Sequence, residues 1–180
     1  MLVLLPSLSF GQCVTIENDA YRSVYDLSLQ CPMQVIWTLH RTDVGDIKRE
    51  PSWRFTADID SPLAVARHAD YNHSGYHRGH LCPAADRSAV AQLMRQTFAL
   101  SNVAPQLAQV NVGSWKRTEN QTRNYLHDHD SVRVLVMPVF LPEDTLYIGK
   151  GHLAVPHAFF KAVWLPANDS VLSAWFVFNR

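Results

Sequence analysis

The segment GYHRGHLCPAADR, residues 75–87, concentrates side chains that could do chemistry. It contains two imidazoles, two guanidinium groups, a phenol and a thiol. An imidazole can accept a proton near neutral pH, and a guanidinium group can bind a phosphate through two parallel hydrogen bonds. The composition is therefore compatible with a metal-ligand cluster, with a catalytic base beside a phosphate-binding site, or with an ordinary polar loop.

A second group of polar residues follows on a predicted helix that spans about residues 107–127. Asn111, Trp115, Glu119 and Arg123 recur at every fourth position, which places them along one face of a helix. Taken alone, this pattern favours a solvated helix face with Trp115 packed in the core. Taken with the preceding loop, it offers an amide oxygen that suits Mg²⁺ and a carboxylate that could hold the waters of the metal. A base, a metal site and cations are the groups that phosphodiester hydrolysis requires.

The elements that must position these residues can be predicted from periodicity. Residues 33–41 alternate as a strand does, residues 56–80 are polar and irregular and predict a long loop, and residues 86–96 predict a helix with Asp86 at its N-cap. Three more strands are predicted near the C-terminus, at residues 131–140, 157–166 and 171–179; the first, continuously apolar, is expected to be buried. The order of strands, loop, helices and strands predicts an α+β fold with a largely antiparallel sheet.

Composition limits the function classes. The chain has 180 residues with 16 basic and 16 acidic side chains, so its formal net charge is zero. The overall basic field that is typical of nucleic-acid-binding proteins is absent, and any polyanion would have to be held by a local patch. The length predicts one domain, residues 12–180.

The first eleven residues, MLVLLPSLSFG, resemble a short secretory signal with cleavage between Gly11 and Gln12, and an N-terminal strand is the alternative. We therefore expect an exported protein, periplasmic or secreted. The apolar run is too short to span a bilayer, so no stable membrane insertion is expected. In an oxidising compartment Cys13 and Cys31 could form a disulfide, which would leave Cys82 as an unpaired, packed residue.

Three sequence blocks occur in a fixed order: SGYHRGHLCPAADR, TFALSNVAPQ and NVGSWKRTENQTR. Together with flanking text they cover roughly residues 35–178, and they resemble the signature blocks of the DNA/RNA non-specific endonucleases. These enzymes carry a ββα-metal, or His-Me finger, active site on a central antiparallel sheet with packed helices. The resemblance implies sequence-independent hydrolysis of DNA and RNA to 5′-phosphate ends, Mg²⁺ as cofactor with Mn²⁺ as a substitute, and a homodimer as the expected assembly.

The resemblance also implies a role for each matching residue. His80 would be the general base, Asn111 the direct Mg²⁺ ligand and Glu119 the residue that orders metal-bound water. Asn102 would orient the His80 loop or the metal shell. Phosphate contacts would come from three arginines: Arg49, Arg78 and Arg123.

One position departs from the family pattern. The family usually has an aspartate directly before the Arg-Gly-His sequence, and this chain has His77 there. The change alters the local charge and leaves open how Arg78 is positioned. It removes neither the base nor the metal ligand, so we expect activity with an altered pH dependence.

Two alternatives stay open at the level of sequence. His73, His77 and His80 could form a zinc site, although Gly75 and Gly79 make their segment a poor helix. Alternatively, the chain could bind nucleic acid without cleaving it, as a module that kept the fold and lost catalysis.

Overall fold

The computed structural model describes residues 12–59 and 66–180. Its strands are, in chain order, β1 Cys13–Glu17, β2 Arg22–Asp26, β3 Cys31–His40, β4 Tyr76–His80, β5 Val103–Leu107, β6 Ser131–Val139, β7 Tyr147–Ile148, β8 Leu153–Ala154, β9 Ala158–Trp164 and β10 Val171–Phe178. Six of them form a sheet in the order β1-β2-β3-β6-β9-β10, with every neighbouring pair antiparallel. The predicted α+β fold with a mainly antiparallel sheet is therefore confirmed.

One face of the sheet supports the hydrophobic core. Along β6, Val132, Val134 and Val136 are fully buried while Arg133 and Met137 are exposed. The continuously buried strand predicted at residues 131–140 is therefore wrong in its burial pattern, because only one side of β6 is covered. The valines face a core cluster that also includes residues of β3 and β9.

A separate two-stranded ribbon and a helix follow one another as a ββα unit. β4 pairs antiparallel with β5, and the chain then continues through a π-helical segment, Val110–Trp115, and an α-helix, α2, Lys116–Asn124. The helix predicted at about residues 107–127 is confirmed, and a 3₁₀ turn, Tyr125–His127, ends it. The long loop predicted at residues 56–80 is wrong over its last five residues, which are β4. Its sequence YHRGH has no apolar alternation, so periodicity could not reveal it.

The helix predicted at residues 86–96 is only partly present. A 3₁₀ turn, Ala84–Arg87, precedes a short α-helix, α1, Ala91–Gln96, and Val90 between them has extended backbone angles. Asp86 is not an N-cap, because its carboxylate is buried and binds side chains from other elements. None of the helices in the described part of the chain has the length and apolar character needed to cross a membrane.

The long helix packs onto the sheet through a buried aromatic pair. Trp115 is fully buried, and its ring centroid lies 5.3 Å from that of Phe159 on β9. Thr118 and Thr122 continue the buried side of α2. The sheet therefore fixes the helix that carries Asn111 and Glu119.

The disulfide considered between Cys13 and Cys31 is not formed. Both thiols are free, and β2 separates the two strands that carry them, since Asp26 is the register partner of both cysteines. Two strand spacings, about 9.6 Å, exceed the roughly 7 Å between Cα atoms that a disulfide can bridge. The predicted secretory leader, residues 1–11, lies outside the described residues.

Candidate active site

His80 ends β4 in an aromatic environment. Its ring centroid lies 5.0 Å from that of Phe55 and 4.8 Å from that of Phe98, which it meets edge-on. Nε2 is buried and has no hydrogen-bond partner among the described residues. Burial, and then the positive charge of Arg49, lower the pKa of His80 to about 4. The imidazole is therefore neutral at pH 7 and able to accept a proton.

Arg49 is held close to the His80 pocket by aromatic stacking. Its guanidinium carbon lies 4.7 Å from the ring centroid of Phe98, and Nη2 donates to the carbonyl oxygen of Trp53 at 3.0 Å. The sequence pointed to Arg49 but not to Phe55 and Phe98, which bring the arginine and His80 together. Their spacing carries no catalytic signal, and only the structure places them around one imidazole.

Asn102 fixes the turn that follows His80. Its buried side chain accepts from the N–H of Cys82 at 2.8 Å and donates to the carbonyl oxygens of Cys82 and Thr97, each at 2.9 Å. These bonds make Asn102 a positioning residue for the His80 turn. Cys82 is fully buried and burial raises the pKa of its thiol, so a thiolate is not available there.

Arg78 is positioned from outside its own strand. Nη2 donates to the carbonyl oxygen of His68 at 2.6 Å and to Oδ1 of Asn72 at 3.0 Å, and the guanidinium carbon lies 5.1 Å from the ring centroid of Tyr71. Burial lowers the pKa of Arg78 from its ordinary value, but an arginine stays charged at any physiological pH. His68 and Tyr71 lie in a 3₁₀ turn, His68–Tyr71, and Asn72 caps its end; sequence reasoning missed all three. None of these contacts involves His77, so they hold Arg78 in place without the aspartate that the family usually has at that position.

Two contacts fix the start of the long helix against β4. Nδ2 of Asn111 lies 3.2 Å from Nδ1 of His77, and Nε1 of Trp115 donates to the carbonyl oxygen of His80 at 3.1 Å. Both pairs lie on the same two elements, so the segment that carries Asn111 runs alongside the strand that ends at His80.

Arg123 is half-buried and pairs with the fully buried Asp86. Its Nη1 donates to Oδ1 of Asp86 at 2.6 Å, and its Nη2 donates to Oδ1 of Asn120 at 2.7 Å. Nε1 of Trp37 donates to the other oxygen of Asp86 at 3.2 Å. The guanidinium group is therefore engaged on two sides, and its predicted contact with phosphate stays a prediction.

Glu119 and Lys161 lie between α2 and the sheet. Burial raises the pKa of Glu119 to about 7, against the opposing effect of the positive charge of Lys161. Lys161 is fully buried on β9, and its Nζ lies 5.5 Å from the ring centroid of Trp115. Burial lowers the pKa of Lys161, and its ammonium group has no hydrogen-bond partner within the described residues. Glu119 can therefore change its protonation state near neutral pH.

The donor set fits a hard cation and does not fit zinc. The amide oxygen of Asn111 makes no hydrogen bond with the described residues, while its nitrogen faces His77. Across residues 12–59 and 66–180, no three His, Cys, Asp or Glu side chains lie close enough to hold a metal ion. The zinc site considered for His73, His77 and His80 is therefore wrong, since a structural zinc ion takes four such ligands and a catalytic one takes three. Mg²⁺ needs few protein ligands because it keeps most of its waters.

Comparisons with known proteins identify relatives over most of the chain. The family model described as DNA/RNA non-specific endonuclease matches residues 6–178. Endonuclease G, mitochondrial, from Homo sapiens is 40% identical over 166 residues, which cover 84% of this chain and 54% of that protein. Nuclease C1 from Cunninghamella echinulata var. echinulata is 32% identical over 180 residues, which cover 91% of this chain and 71% of that protein.

A solved structure has the same fold. The crystal structure of the EndoG/EndoGI complex superposes with a TM-score of 0.85 at 25% sequence identity, covering 95% of this chain and 76% of that one. The chain spans about half the length of the mitochondrial relatives from human and zebrafish, 54% and 48%. The extent of the family match and the identity to Nuclease C1 lead to one conclusion: this chain belongs to the DNA/RNA non-specific endonuclease family.

Proposed function

We propose that this protein is a Mg²⁺-dependent endonuclease that hydrolyses the phosphodiester bonds of DNA and RNA and leaves 5′-phosphate ends. The observation that carries the proposal is the placement of His80. It ends the β4–β5 ribbon directly beside the helical segment that carries Asn111, and burial keeps its imidazole neutral by lowering its pKa to about 4. Family membership supports the same activity.

In the proposed reaction His80 takes the proton of the attacking water. The aromatic rings of Phe55 and Phe98 exclude solvent from one side of the imidazole and keep it uncharged. The cations of Arg49 and Arg78 suit the phosphate, because guanidinium groups match phosphate oxygens in pairs. Asn102 holds the turn after His80 and so keeps the base in place.

Asn111 would hold the magnesium ion through its amide oxygen, which has no other partner among the described residues. When bound, the ion would supply positive charge to the phosphate as negative charge develops in the transition state. Glu119, whose pKa is raised to about 7, would order the waters around it. Mn²⁺ is expected to substitute, because it also prefers oxygen ligands.

We propose that the protein binds the sugar-phosphate backbone of the nucleic acid. The side chains proposed to contact it are arginines, which recognise phosphate and do not distinguish one base from another. The net charge is zero, so binding depends on this local patch and not on the charge of the whole protein. Affinity should therefore fall steeply as salt rises.

The proposal is tested by cleavage of plasmid DNA and of RNA by the purified protein, with Mg²⁺, with Mn²⁺ and with EDTA. We expect both nucleic acids to be cut only when the metal is present, with 5′-phosphate ends on the products. Binding without cleavage at any pH between 5 and 9 would contradict the proposal and favour the non-catalytic binding module.

We further propose that residues 1–11 form a secretory leader, that residues 12–180 form one domain, and that the mature enzyme is an exported homodimer. The apolar N-terminal run supports the leader, and the family match over residues 6–178 supports the single domain. N-terminal sequencing of protein recovered from the periplasm or medium should begin at Gln12. Light scattering on that protein should give twice the chain mass, and a monomer mass would refute the dimer.

A further inference from the structure

We infer that His77 is a positioning residue for the metal ligand: it holds the nitrogen of the Asn111 amide so that the oxygen is free to face the cation. This inference rests on the proposed function. It is carried by the 3.2 Å contact between Nδ1 of His77 and Nδ2 of Asn111.

The chemistry of the two groups decides which way the amide turns. The NH₂ end of an asparagine can only donate a hydrogen bond, and only its oxygen end can bind a cation. The contact is a hydrogen bond in the tautomer of His77 that carries its proton on Nε2, because Nδ1 is then unprotonated and can only accept. The contact therefore holds the donor end of Asn111 against His77 and turns the acceptor end away from it.

No other described contact fixes this amide. Asn111 is half-exposed, and the last side-chain torsion of an asparagine is broad, so the amide would otherwise rotate with little cost. Its backbone lies in the π-helical segment Val110–Trp115, a form that is common at functional sites. Because the bond between Trp115 and the His80 carbonyl fixes this segment against β4, His77 meets Asn111 in a defined register.

His77 can therefore take the place of the aspartate that the family usually has at this position. A carboxylate and a neutral imidazole both offer an acceptor to the amide N–H. They differ in charge, because only the carboxylate adds a negative charge near the cation. His77→Asp should therefore preserve the orientation of Asn111, and this variant should bind the cation at least as tightly as the wild type.

The test is calorimetric titration of the nucleic-acid-free protein with MgCl₂. His77→Ala and His77→Phe, which both remove the acceptor, should weaken Mg²⁺ binding by about 10- to 100-fold, the usual effect of losing a partner of a metal ligand. His77→Asp should bind Mg²⁺ at least as tightly as the wild type. His127→Ala, which removes an exposed histidine at the end of the same helix, should leave the affinity unchanged.

The outcomes separate this inference from the proposed function. If Asn111→Ala weakens Mg²⁺ binding while His77→Ala and His77→Phe do not, the role of His77 is wrong and the metal site stands. If Asn111→Ala leaves the affinity unchanged, Asn111 is not the ligand and the metal assignment itself fails. Pulsed electron paramagnetic resonance with Mn²⁺ adds a further check: a directly coordinated histidine nitrogen would make His77 a ligand and overturn the positioning role.

Discussion

At the scale of single residues, the neighbours of His80 determine its chemistry. A histidine in water has a pKa near 6.5 and would be partly protonated at pH 6. Two phenylalanine rings and the charge of Arg49 lower the pKa of His80 to about 4. The base form is therefore available across the whole neutral and mildly acidic range.

The pH dependence of catalysis should report this pKa. A general base works only when it is unprotonated, so kcat/KM should be lost as the pH falls through the pKa of His80. Arg49→Gln removes a positive charge that lowers this pKa, and the acid limb of the profile should therefore move to higher pH. The measurement is kcat/KM against pH on a short DNA duplex.

Arg54→Gln is the matched control, since Arg54 lies on the same segment and its charge acts on His68 rather than on His80. The control should leave the midpoint of the acid limb where the wild type has it. Identical midpoints for Arg49→Gln and the wild type would show that Arg49 does not tune the base.

Sequence could point to the proposed reacting groups but not to the residues that would tune them. His80 and Asn111 were proposed because their residue types and blocks carry information about chemistry. Phe55 and Phe98 act only by being close to His80, and they are 25 and 18 positions away from it along the chain. Their contribution depends on tertiary contact, which a single sequence does not encode in any local pattern.

At the scale of the elements, the ribbon that carries His80 depends on a close approach between its strands. A Cβ atom on Gly79 would clash with Oε1, Cδ and Cγ of Gln106, whose side chain is fully buried. Both polar atoms of the Gln106 amide have no hydrogen-bond partner in the described residues. Gly79 is therefore required within β4 because the absence of a side chain leaves room for Gln106 to pack against the strand.

Gly79→Ala should destabilise the protein by about 1–3 kcal/mol, the usual effect of overpacking a closed site. The double variant Gly79→Ala/Gln106→Ala should recover most of that loss, because it removes the crowded side chain. Urea unfolding followed by circular dichroism measures both free energies of unfolding.

Gly113→Ala serves as the control for adding a methyl group, because nothing lies within 4 Å of the new Cβ. It should be neutral or stabilising by up to about 1 kcal/mol, since alanine favours helix over glycine. If Gly79→Ala is as stable as Gly113→Ala, the packing argument for the ribbon is wrong.

The helix could be predicted and the ribbon could not, for a physical reason. Residues 107–127 have a buried side that recurs with the period of a helix, at Val110, Trp115, Thr118, Thr122 and Leu126, and this period is a local signal. β4 is a polar strand whose partner is β5, more than twenty residues later, so its extended form is imposed by pairing. Periodicity also gave no sign that Asn111 lies in a π-helical segment, Val110–Trp115.

At the scale of the whole molecule, α2 is joined to the sheet by a group of four charged side chains. Asp86 and Lys161 are fully buried, while Glu119 and Arg123 are half-buried. Asp86 and Glu119 are the acids and Arg123 and Lys161 the bases, so the group is neutral when all four are ionised. Asp86 is fully buried and binds both Arg123 and Trp37, which links α2 to β3. Removing one charge should therefore disturb both the fold and the site.

Asp86→Asn tests this link. It removes the partner of Arg123 and leaves two basic side chains near one acid, so the free energy of unfolding should fall by about 3–5 kcal/mol, the usual result of breaking a buried ion pair. The control is Asp130→Asn, because Asp130 pairs with Arg41 at 3.5 Å on the open surface. The control should change stability by less than about 1 kcal/mol, as exposed pairs do. Equal losses for the two variants in urea unfolding would refute the structural role of the cluster.

The class of the fold could be predicted from the order of elements, but the neighbours within the sheet could not. The disulfide considered between Cys13 and Cys31 shows why. The two cysteines are close in sequence, yet β2 lies between their strands. Which strands are neighbours is decided by packing across the whole sheet, and sequence distance is a poor guide to it.

The central claim is that His80 is the base of a nuclease, and the most direct measurement compares His80→Ala with the wild type in both cleavage and binding. Single-turnover cleavage of duplex DNA with saturating Mg²⁺ should slow by about 10²- to 10⁴-fold, the usual contribution of a general base. Affinity for the same duplex, measured by fluorescence anisotropy with Ca²⁺ in place of Mg²⁺, should stay within a factor of about three, because we propose that arginines, and not His80, contact the phosphates. Cleavage by His80→Ala at the wild-type rate would contradict the account.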